Sequence, residues 1–360
     1  MTRLESLREV MKTQGVDLVV LAPGGHMNWL AGLKPHADER PLLMVISQSG
    51  EGILMPALES ESARRQTELP FFEWSDSTGP KFVFNQLLAE LNANSTRTIV
   101  LDETMRADHV AFVTEFLPDA KTSFSETTIS ALRIRKTTEE YAVLKQNAGM
   151  ADQAMNAAWS AMKTGMTEKE VAEIVFEHFK KLGAKPMFGI IGAGPNGAMP
   201  HHHTGETILQ EGDAVVMDIG AGYNGYSSDI TRMAFMGEPS REFLKVHGVV
   251  KNAVEAAMEA AKPGIEARNV DAAARAVIEK EGYGEYFCHR TGHGLGSEVH
   301  EPPYIDGSSE IVLDEGMVFS IEPGIYLPGK FGIRLEDIVI LRSDGPEIFS
   351  DLPLSVRIIG

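Results

Sequence analysis

The 360-residue chain predicts an α+β protein in two parts. A smaller α/β domain with a mixed sheet covers residues 1–130. A larger domain covers residues 131–360, built from two α+β halves related by a pseudo-twofold, with a curved antiparallel sheet carrying the site. Three observations lead there. The first 130 residues alternate short strand-like and helix-like segments. Capping residues then open a much longer helical segment. Beyond it, a series of features recurs in the same order 99 to 104 positions later.

In the N-terminal part, Val16–Leu21, Leu42–Ile46, Gly52–Met55 and Thr98–Leu101 are predicted strands, and Leu4–Gln14, Leu58–Gln66, Phe82–Leu91 and Ala107–Phe116 predicted helices. The Gln48-Ser49-Gly50 turn implies an antiparallel hairpin, which makes the sheet mixed. Gly25 to Leu33 reads as a loop, either packed through Trp29 or lining a binding site. Nothing before residue 130 has the spacing of a catalytic constellation. At Ile129–Lys136 the pattern breaks. Thr137 or Thr138, with Glu139 and Glu140 behind it, is an N-cap for a helix running to about Met162, and the domain boundary is placed here.

The rest of the chain repeats itself. Lys163-Thr-Gly165 and Lys262-Pro-Gly264 each end a helical segment, and further helices end at Gly183 and Gly282. His201 is matched by His300 at the same offset of 99. Glu211-Gly212 with Asp218-Ile-Gly220 is matched by Glu315-Gly316 with Glu322-Pro-Gly324, now 104 apart, and a few inserted loop residues account for the drift.

The stretch Asp213–Phe235 holds two apolar, β-prone runs joined at Asn224-Gly225, a dipeptide that favours a tight hairpin turn. That turn sets Tyr223 against Tyr226 and Asp218 against Thr231, and places Asp218 and Asp229 on one face as diagonal neighbours. Read alone, the pair is either a solvated hairpin or two carboxylates held together by a cation. The second half decides. Strand parity puts Val318, Ser320 and Glu322 on one face of Met317–Glu322. In a single strand Gly332–Leu341, Arg334 and Glu336 share a face and Asp337 points the other way. A charged residue in an apolar strand needs a partner or a metal. Asp218, Asp229, Glu322 and Glu336 therefore converge, with His293, flanked by Gly292 and Gly294, as nitrogen donor. Such an oxygen-rich set suits two divalent cations sharing a water, and hydrolysis.

Gly192-Ala-Gly194-Pro-Asn-Gly197 fits G-x-G-x-x-G, but Pro195 and the prolines and histidines after it oppose the helix a dinucleotide fingerprint must open. It reads as a loop delivering His201. His201, His202 and His203 cannot all face one way, and His201 is assigned to the site because His300 matches it.

Composition narrows the class. With 43% apolar and 23% charged residues the chain reads as an ordinary globular protein. Its net charge of −18 argues against a nucleic-acid partner. A lone Cys288 excludes an internal disulfide, fits a reducing compartment and reads as a small buried apolar residue. The N-terminus reads as an amphipathic helix and not a signal peptide, and no apolar run is long enough to span a bilayer, so a cytoplasmic protein is expected.

Asp218-Ile-Gly-Ala with Ser228-Asp229-Ile-Thr-Arg232, Gly292-His293-Gly-Leu-Gly296, Val299-His300-Glu301, Ile321-Glu322-Pro-Gly324 and Ile333-Arg334-Leu-Glu336-Asp337 resemble the signature of the "pita-bread" metallopeptidases. That group holds methionine aminopeptidase, aminopeptidase P, prolidase (Xaa-Pro dipeptidase) and the metal-free creatinase. The two-domain layout is similar to prolidase and aminopeptidase P.

The resemblance implies that Asp218, Asp229, His293, Glu322 and Glu336 hold two Mn²⁺, Co²⁺ or Zn²⁺ ions, Mn or Co first. It implies Glu322 as proton acceptor for the water that attacks the carbonyl before proline, and His201 and His300 as hydrogen-bonding groups for substrate and tetrahedral intermediate. Arg334 would orient the site or bind the proline carboxylate. Family members are commonly homodimers in which an N-terminal loop closes the partner's pocket, and Trp29–Asp38 is the matching loop. Two positions depart. Some dipeptidases carry an Arg four residues after the histidine matching His300, where it grips the substrate carboxylate, and here Tyr304 stands in that substrate-binding position. Met233 replaces the usual second Thr of Thr-Arg-Thr, a packing change. The resulting expectation is an exopeptidase for Xaa-Pro bonds, foremost an Xaa-Pro dipeptidase. The alternatives are an Xaa-Pro aminopeptidase acting on longer peptides and a creatinase-like C–N hydrolase of a small molecule.

Overall fold

The computed structural model describes all residues, Met1–Gly360, and the chain divides into two compact units, Met1–Arg133 and Ile134–Gly360. No helix is long and apolar enough to cross a membrane.

In the first unit, α1 (Arg3–Gln14) starts at a Thr2–Glu5 capping box and stops at Gly15, whose φ of 65° is left-handed. Then follow β1 (Leu18–Leu21), α2 (Gly25–Ala31), β2 (Leu43–Ser47), β3 (Glu51–Pro56), α3 (Ala57–Ala63), β4 (Phe71–Trp74), α4 (Lys81–Glu90), β5 (Thr98–Leu101), α5 (Ala107–Phe116), β6 (Lys121–Phe124) and α6 (Ile129–Arg133). The sheet order is β4-β3-β2-β1-β5-β6, antiparallel between β1, β2 and β3 and parallel elsewhere, a mixed sheet. Alternate residues of β1 feed opposite cores. Val19 and Leu21 pack with Leu7, Met11 and Met27, and Leu18 and Val20 pack with Phe84, Leu87 and Val113. Two features differ from the sequence reading. Gly25–Ala31 is helical, with Trp29 buried in the core. The edge strands β4 and β6 were not expected, and β6 is exposed along its whole length.

The second unit opens with α7 (Thr138–Ala161), capped by a Thr137–Glu140 box, and α8 (Glu168–Lys181). Strands β7 (Lys185–Ala193), β8 (Ala214–Tyr223), β9 (Tyr226–Ser227) and β10 (Ile230–Met236) complete the first half. The second half has α9 (Arg241–Ala260), α10 (Ala267–Lys280), β11 (Gly292–Gly294), β12 (Glu301–Ile305), β13 (Val318–Ile321), β14 (Gly324–Leu327), β15 (Phe331–Arg334), β16 (Asp337–Arg342) and β17 (Gly345–Ile348). The final strand β18 (Arg357–Ile359) returns to β10. The sheets run β18-β10-β8-β7 and β12-β11-β13-β16-β17, with β14 and β15 as a separate pair.

The duplication is physical. The Gly165 amide donates to the Leu209 carbonyl at 2.9 Å, and in the other half Gly264 donates to Leu313 at 2.8 Å. The bridge Thr167–Ile208 is repeated as Glu266–Val312. After Gly194 the chain makes a short 3₁₀ turn (Gly194–Ala198) in place of a long helix, so the glycine motif at 192–197 is a loop.

Two expectations need correction. The predicted single strand Gly332–Leu341 is two strands in two sheets. Leu335 drops into the core at the break, and the Glu336 amide leaves the ladder to donate to the Thr231 carbonyl of β10 at 3.2 Å. Cys288 is exposed, not buried, because neighbouring Phe287 takes the inward position. Met233 is fully buried in the core, consistent with a packing role.

Candidate metal centre

The β8–β10 hairpin turns at Asn224 and Gly225, with φ of 47° and 83°, the left-handed values a type I′ turn requires. Tyr223 faces Tyr226 and Asp218 faces Thr231. Asp218 leaves β8 toward a cavity of about 680 Å³, and Asp229, in the gap between β9 and β10, reaches the same space. From the second half come His293 in β11, Glu322 just after β13 and Glu336 at the break between β15 and β16. The glycines beside His293 are needed for close approach. A Cβ on Gly292 would lie 1.9 Å from the Ser320 carbonyl oxygen, and one on Gly294 2.2 Å from that of Pro302.

Hydrogen bonds aim these groups. The His293 amide donates to Ser320 Oγ at 2.9 Å, and that hydroxyl donates to Glu322 Oε1 at 2.9 Å. His293 Nδ1 donates to the Gly294 carbonyl at 3.0 Å, which turns Nε2 toward the carboxylates. Nε2 lies 3.1 Å from Glu322 Oε1 and 3.8 Å from Asp229 Oδ2. Glu336 Oε2 accepts from Thr231 at 2.7 Å, and Asp218 Oδ2 accepts from Arg334 Nη2 at 2.5 Å. Arg334 also donates to Thr231 Oγ1, the Pro200 carbonyl and Tyr326 Oη, so every nitrogen of its guanidinium is engaged. Tyr326 in turn donates to His289 Nε2 at 2.8 Å, while His289 Nδ1 donates to the Arg290 carbonyl at 2.7 Å.

One oxygen of each of three buried acids is left over. Asp218 Oδ1, Asp229 Oδ1 and Glu336 Oε1 are buried without a hydrogen-bond partner. Burial first, and then the neighbouring carboxylates, hold Asp229 and Glu336 well above the usual carboxylate range. Asp218 is raised as well, chiefly by burial. Burial pushes Glu322 up too, but the hydrogen bond and charge of His293 outweigh it and bring the group below its ordinary value. Ligating atoms of Asp229, His293 and Glu336 lie within 4.8 Å of one another. Buried acids crowded together, each offering an unsatisfied oxygen, beside an imidazole nitrogen, are the donor set that divalent cations complete.

Eight of the nine candidate residues face this cavity: Asp218, Asp229, His293, Glu322, Glu336, His201, His300 and Arg334. Tyr304, assigned to substrate, does not. Its ring lies under Arg290, whose guanidinium carbon is 4.5 Å from the ring centroid, and it is Arg290 that lines the cavity. Of the three adjacent histidines, His201 lines the site, His202 is turned toward buried Glu168 at 2.8 Å, and His203 is exposed. The His300 ring contacts that of His293 edge-on with centroids 4.2 Å apart, and burial, then the charges of His293 and Arg290, push its pKa down to about 4. Met187, Phe188, Ile190 and Val299 form an apolar wall. His289, Arg290, Tyr326, Thr231 and Ser320 were not picked out from the sequence. Ser320 carried a signal, since it shares a strand face with Glu322.

Residues 142–343 match the model of metallopeptidase family M24, and residues 3–135 match the creatinase/prolidase N-terminal domain. An Xaa-Pro dipeptidase from Pyrococcus furiosus is 35% identical over 95% of this chain and 96% of its own. The crystal structure of dipeptidase PepE from Mycobacterium ulcerans superposes with a TM-score of 0.94 at 34% identity, covering 99% of this chain and 97% of that one. An X-Pro aminopeptidase structure from Thermotoga maritima has a TM-score of 0.87 at 31% identity, with 100% of both chains covered. The chain therefore belongs to metallopeptidase family M24, a family of hydrolases that work with divalent metal ions.

Proposed function

We propose that this protein is an Xaa-Pro dipeptidase working with two divalent cations, Mn²⁺ or Co²⁺ before Zn²⁺. Asp218, Asp229, His293, Glu322 and Glu336 would hold them, and the observation that carries this is the set of three partnerless buried carboxylate oxygens beside His293. When bound, the cations supply Lewis acidity that polarises the scissile carbonyl and makes water nucleophilic at neutral pH. The protein's own groups do the rest. Glu322, fixed by Ser320, takes the proton of the attacking water and passes it toward the departing nitrogen. His201 and His300 donate hydrogen bonds to the carbonyl oxygen as it gains charge. Arg334, with all its nitrogens engaged, holds Asp218 in place and is not free to grip a substrate carboxylate. The apolar wall of Met187, Phe188, Ile190 and Val299 keeps water from the reacting bond and receives the proline ring.

The substrate class rests on the similarity to Xaa-Pro dipeptidases. Xaa-Pro aminopeptidase is the second reading, favoured by Tyr304 in the carboxylate-gripping position and by the Thermotoga maritima structure. Turnover of Ala-Pro against Ala-Pro-Ala by the Mn²⁺-loaded enzyme decides: the dipeptide is expected to be cleaved at least about tenfold faster, and comparable rates would establish the aminopeptidase. The homodimer implied by the family resemblance is part of the proposal and is checked by light scattering of the purified protein.

A further inference from the structure

Resting on the dipeptidase reading, we infer that Arg290 is the residue that recognises the free C-terminal carboxylate of the substrate, with Tyr304 as the platform that holds it. Arg290 stands on the wall of the same cavity as the metal-binding carboxylates. Two arginines line that cavity, and they differ in one respect. Arg334 has its nitrogens committed to Asp218, Thr231, Pro200 and Tyr326. The guanidinium of Arg290 has neither an ion pair nor a hydrogen bond. Asp306 feels its charge but is bonded to Ser308 at 2.6 and 2.8 Å.

The stack on Tyr304 explains how an unpaired arginine keeps one orientation. A guanidinium over an aromatic ring spends its flat face and leaves the N–H groups at its edge free for a planar anion. Tyr304 stands opposite His293 in the β11–β12 ladder, which ties the platform to the metal centre by backbone hydrogen bonds. The Arg290 carbonyl is fixed by His289 Nδ1 at 2.7 Å, so the main chain at this point is anchored as well. The carboxylate grip absent at position 304 is therefore restored from the segment that leads into the neighbouring strand: the tyrosine carries the arginine instead of replacing it.

Selection of peptide length follows. A dipeptide presents a carboxylate one residue beyond the scissile bond, where a bidentate, charge-assisted pair with Arg290 forms. A tripeptide presents a neutral amide at that point and leaves the guanidinium without its anion, an asymmetry that discriminates strongly because a desolvated polar group goes unpaired.

The test compares acids with amides. With the Mn²⁺-loaded enzyme, kcat and KM are measured for Ala-Pro and Ala-Pro-amide, and for Ala-Leu and Ala-Leu-amide. Wild type is expected to prefer each acid by about 10- to 100-fold in kcat/KM. Arg290→Met should raise KM for the acids by about that factor, leave kcat within a few-fold and leave the amides unchanged, so that the preference collapses. Tyr304→Leu should lose part of the same preference, and it serves if Arg290→Met fails to fold. A preference that survives Arg290→Met, or acids and amides that weaken together, would overturn the inference. Calorimetry gives a readout without turnover: wild type should bind L-proline more tightly than L-prolinamide, and equal affinities would also overturn it. An enzyme that cleaves Ala-Leu in preference to Ala-Pro would sink the proline reading, while its acid-to-amide ratio would still decide the role of Arg290.

Discussion

Each unit of the protein contains a histidine and two carboxylates whose ligating atoms lie within 4.8 Å of one another: His26, Asp102 and Glu103 in the first, and Asp229, His293 and Glu336 in the second. Spacing does not separate them. Their donors do. In the first cluster Arg133 donates to His26 Nδ1 at 2.8 Å, and Nε2 reaches Glu103 Oε1 at 3.0 Å. Ser125 donates to the other Glu103 oxygen, and Thr104 and the Ala22 amide satisfy both oxygens of Asp102. A guanidinium already occupies the place of a cation there. In the second cluster Asp229 and Glu336 each keep a buried oxygen with no donor, and the guanidinium of Arg334 beside them is bonded to Asp218 instead. A group of acids becomes a metal site when the protein withholds the hydrogen bonds it could have supplied.

Breaking the site built around the second cluster should abolish activity, and breaking the first cluster should not. Glu322→Gln is expected to lower kcat on Ala-Pro by about 10³-fold or more, because one residue loses both a ligand and a proton acceptor. Glu103→Gln should stay within about twofold of wild type under the same assay. A variant at 322 that retained its rate would end the proposed mechanism. The next largest effect is on metal affinity. Calorimetric titration of Mn²⁺ into chelator-treated protein should show Glu336→Gln weakened by at least about 100-fold, whereas His26→Asn binds as wild type does. Loss of Mn²⁺ binding in His26→Asn would mean that the satisfied cluster had been misread.

Stability provides a third contrast, between neighbours in sequence. Glu336 and Asp337 are both buried, yet Arg232 donates to Asp337 Oδ1 at 2.6 Å while Glu336 keeps its spare oxygen. Asp337→Asn, which strands a fully buried guanidinium, should cost about 3 kcal/mol in urea unfolding. Glu336→Gln, measured on chelated protein, should cost nothing or raise stability, since it removes one of several repelling charges. The smallest expected effect is a pH dependence. Burial raises the Glu103 carboxyl, but the bonds from His26 and Ser125 outweigh it and hold the group at about 2. A folded-state value below the unfolded one means stabilisation present above the ordinary 4.5 and lost as pH falls toward 2. The stability gap between wild type and Glu103→Gln should therefore narrow between about pH 5 and about pH 3, and a gap that widened on acidification would contradict the pairing.

Most of the second unit was legible because its signals are local. The Thr137–Glu140 capping box, the Asn224-Gly225 turn and the parity of Met317–Glu322 each involve residues within a few positions of one another. What escaped depends on distant partners. β4 and β6 are short edge strands, and β6 has no buried side chain to leave an apolar alternation. α2 has seven residues enclosed by glycines, too few for a helical period to stand out. The break at Leu335–Glu336 is invisible to alternation because pairing with Thr231, over a hundred residues earlier, causes it. Arg290 lies just before the glycine-flanked histidine, and only the Tyr304 ring from the next strand shows which way it points.

The bridge between Thr231 and Glu336 has a mechanical consequence. It stitches β10 of one sheet to the break before β16 of the other, and Arg232 adds bonds to the Glu336 carbonyl and to Asp337 beside it. Asp218 and Asp229 reach the cavity from one side of this seam, and His293 and Glu322 from the other. Cations held by both sides would rivet the two sheets together. Their arrival should slow amide hydrogen exchange along residues 229–233 and 334–338 while leaving the outer helices unchanged. The centre that cuts peptides would then also be the clasp that keeps the two repeats of its own chain closed.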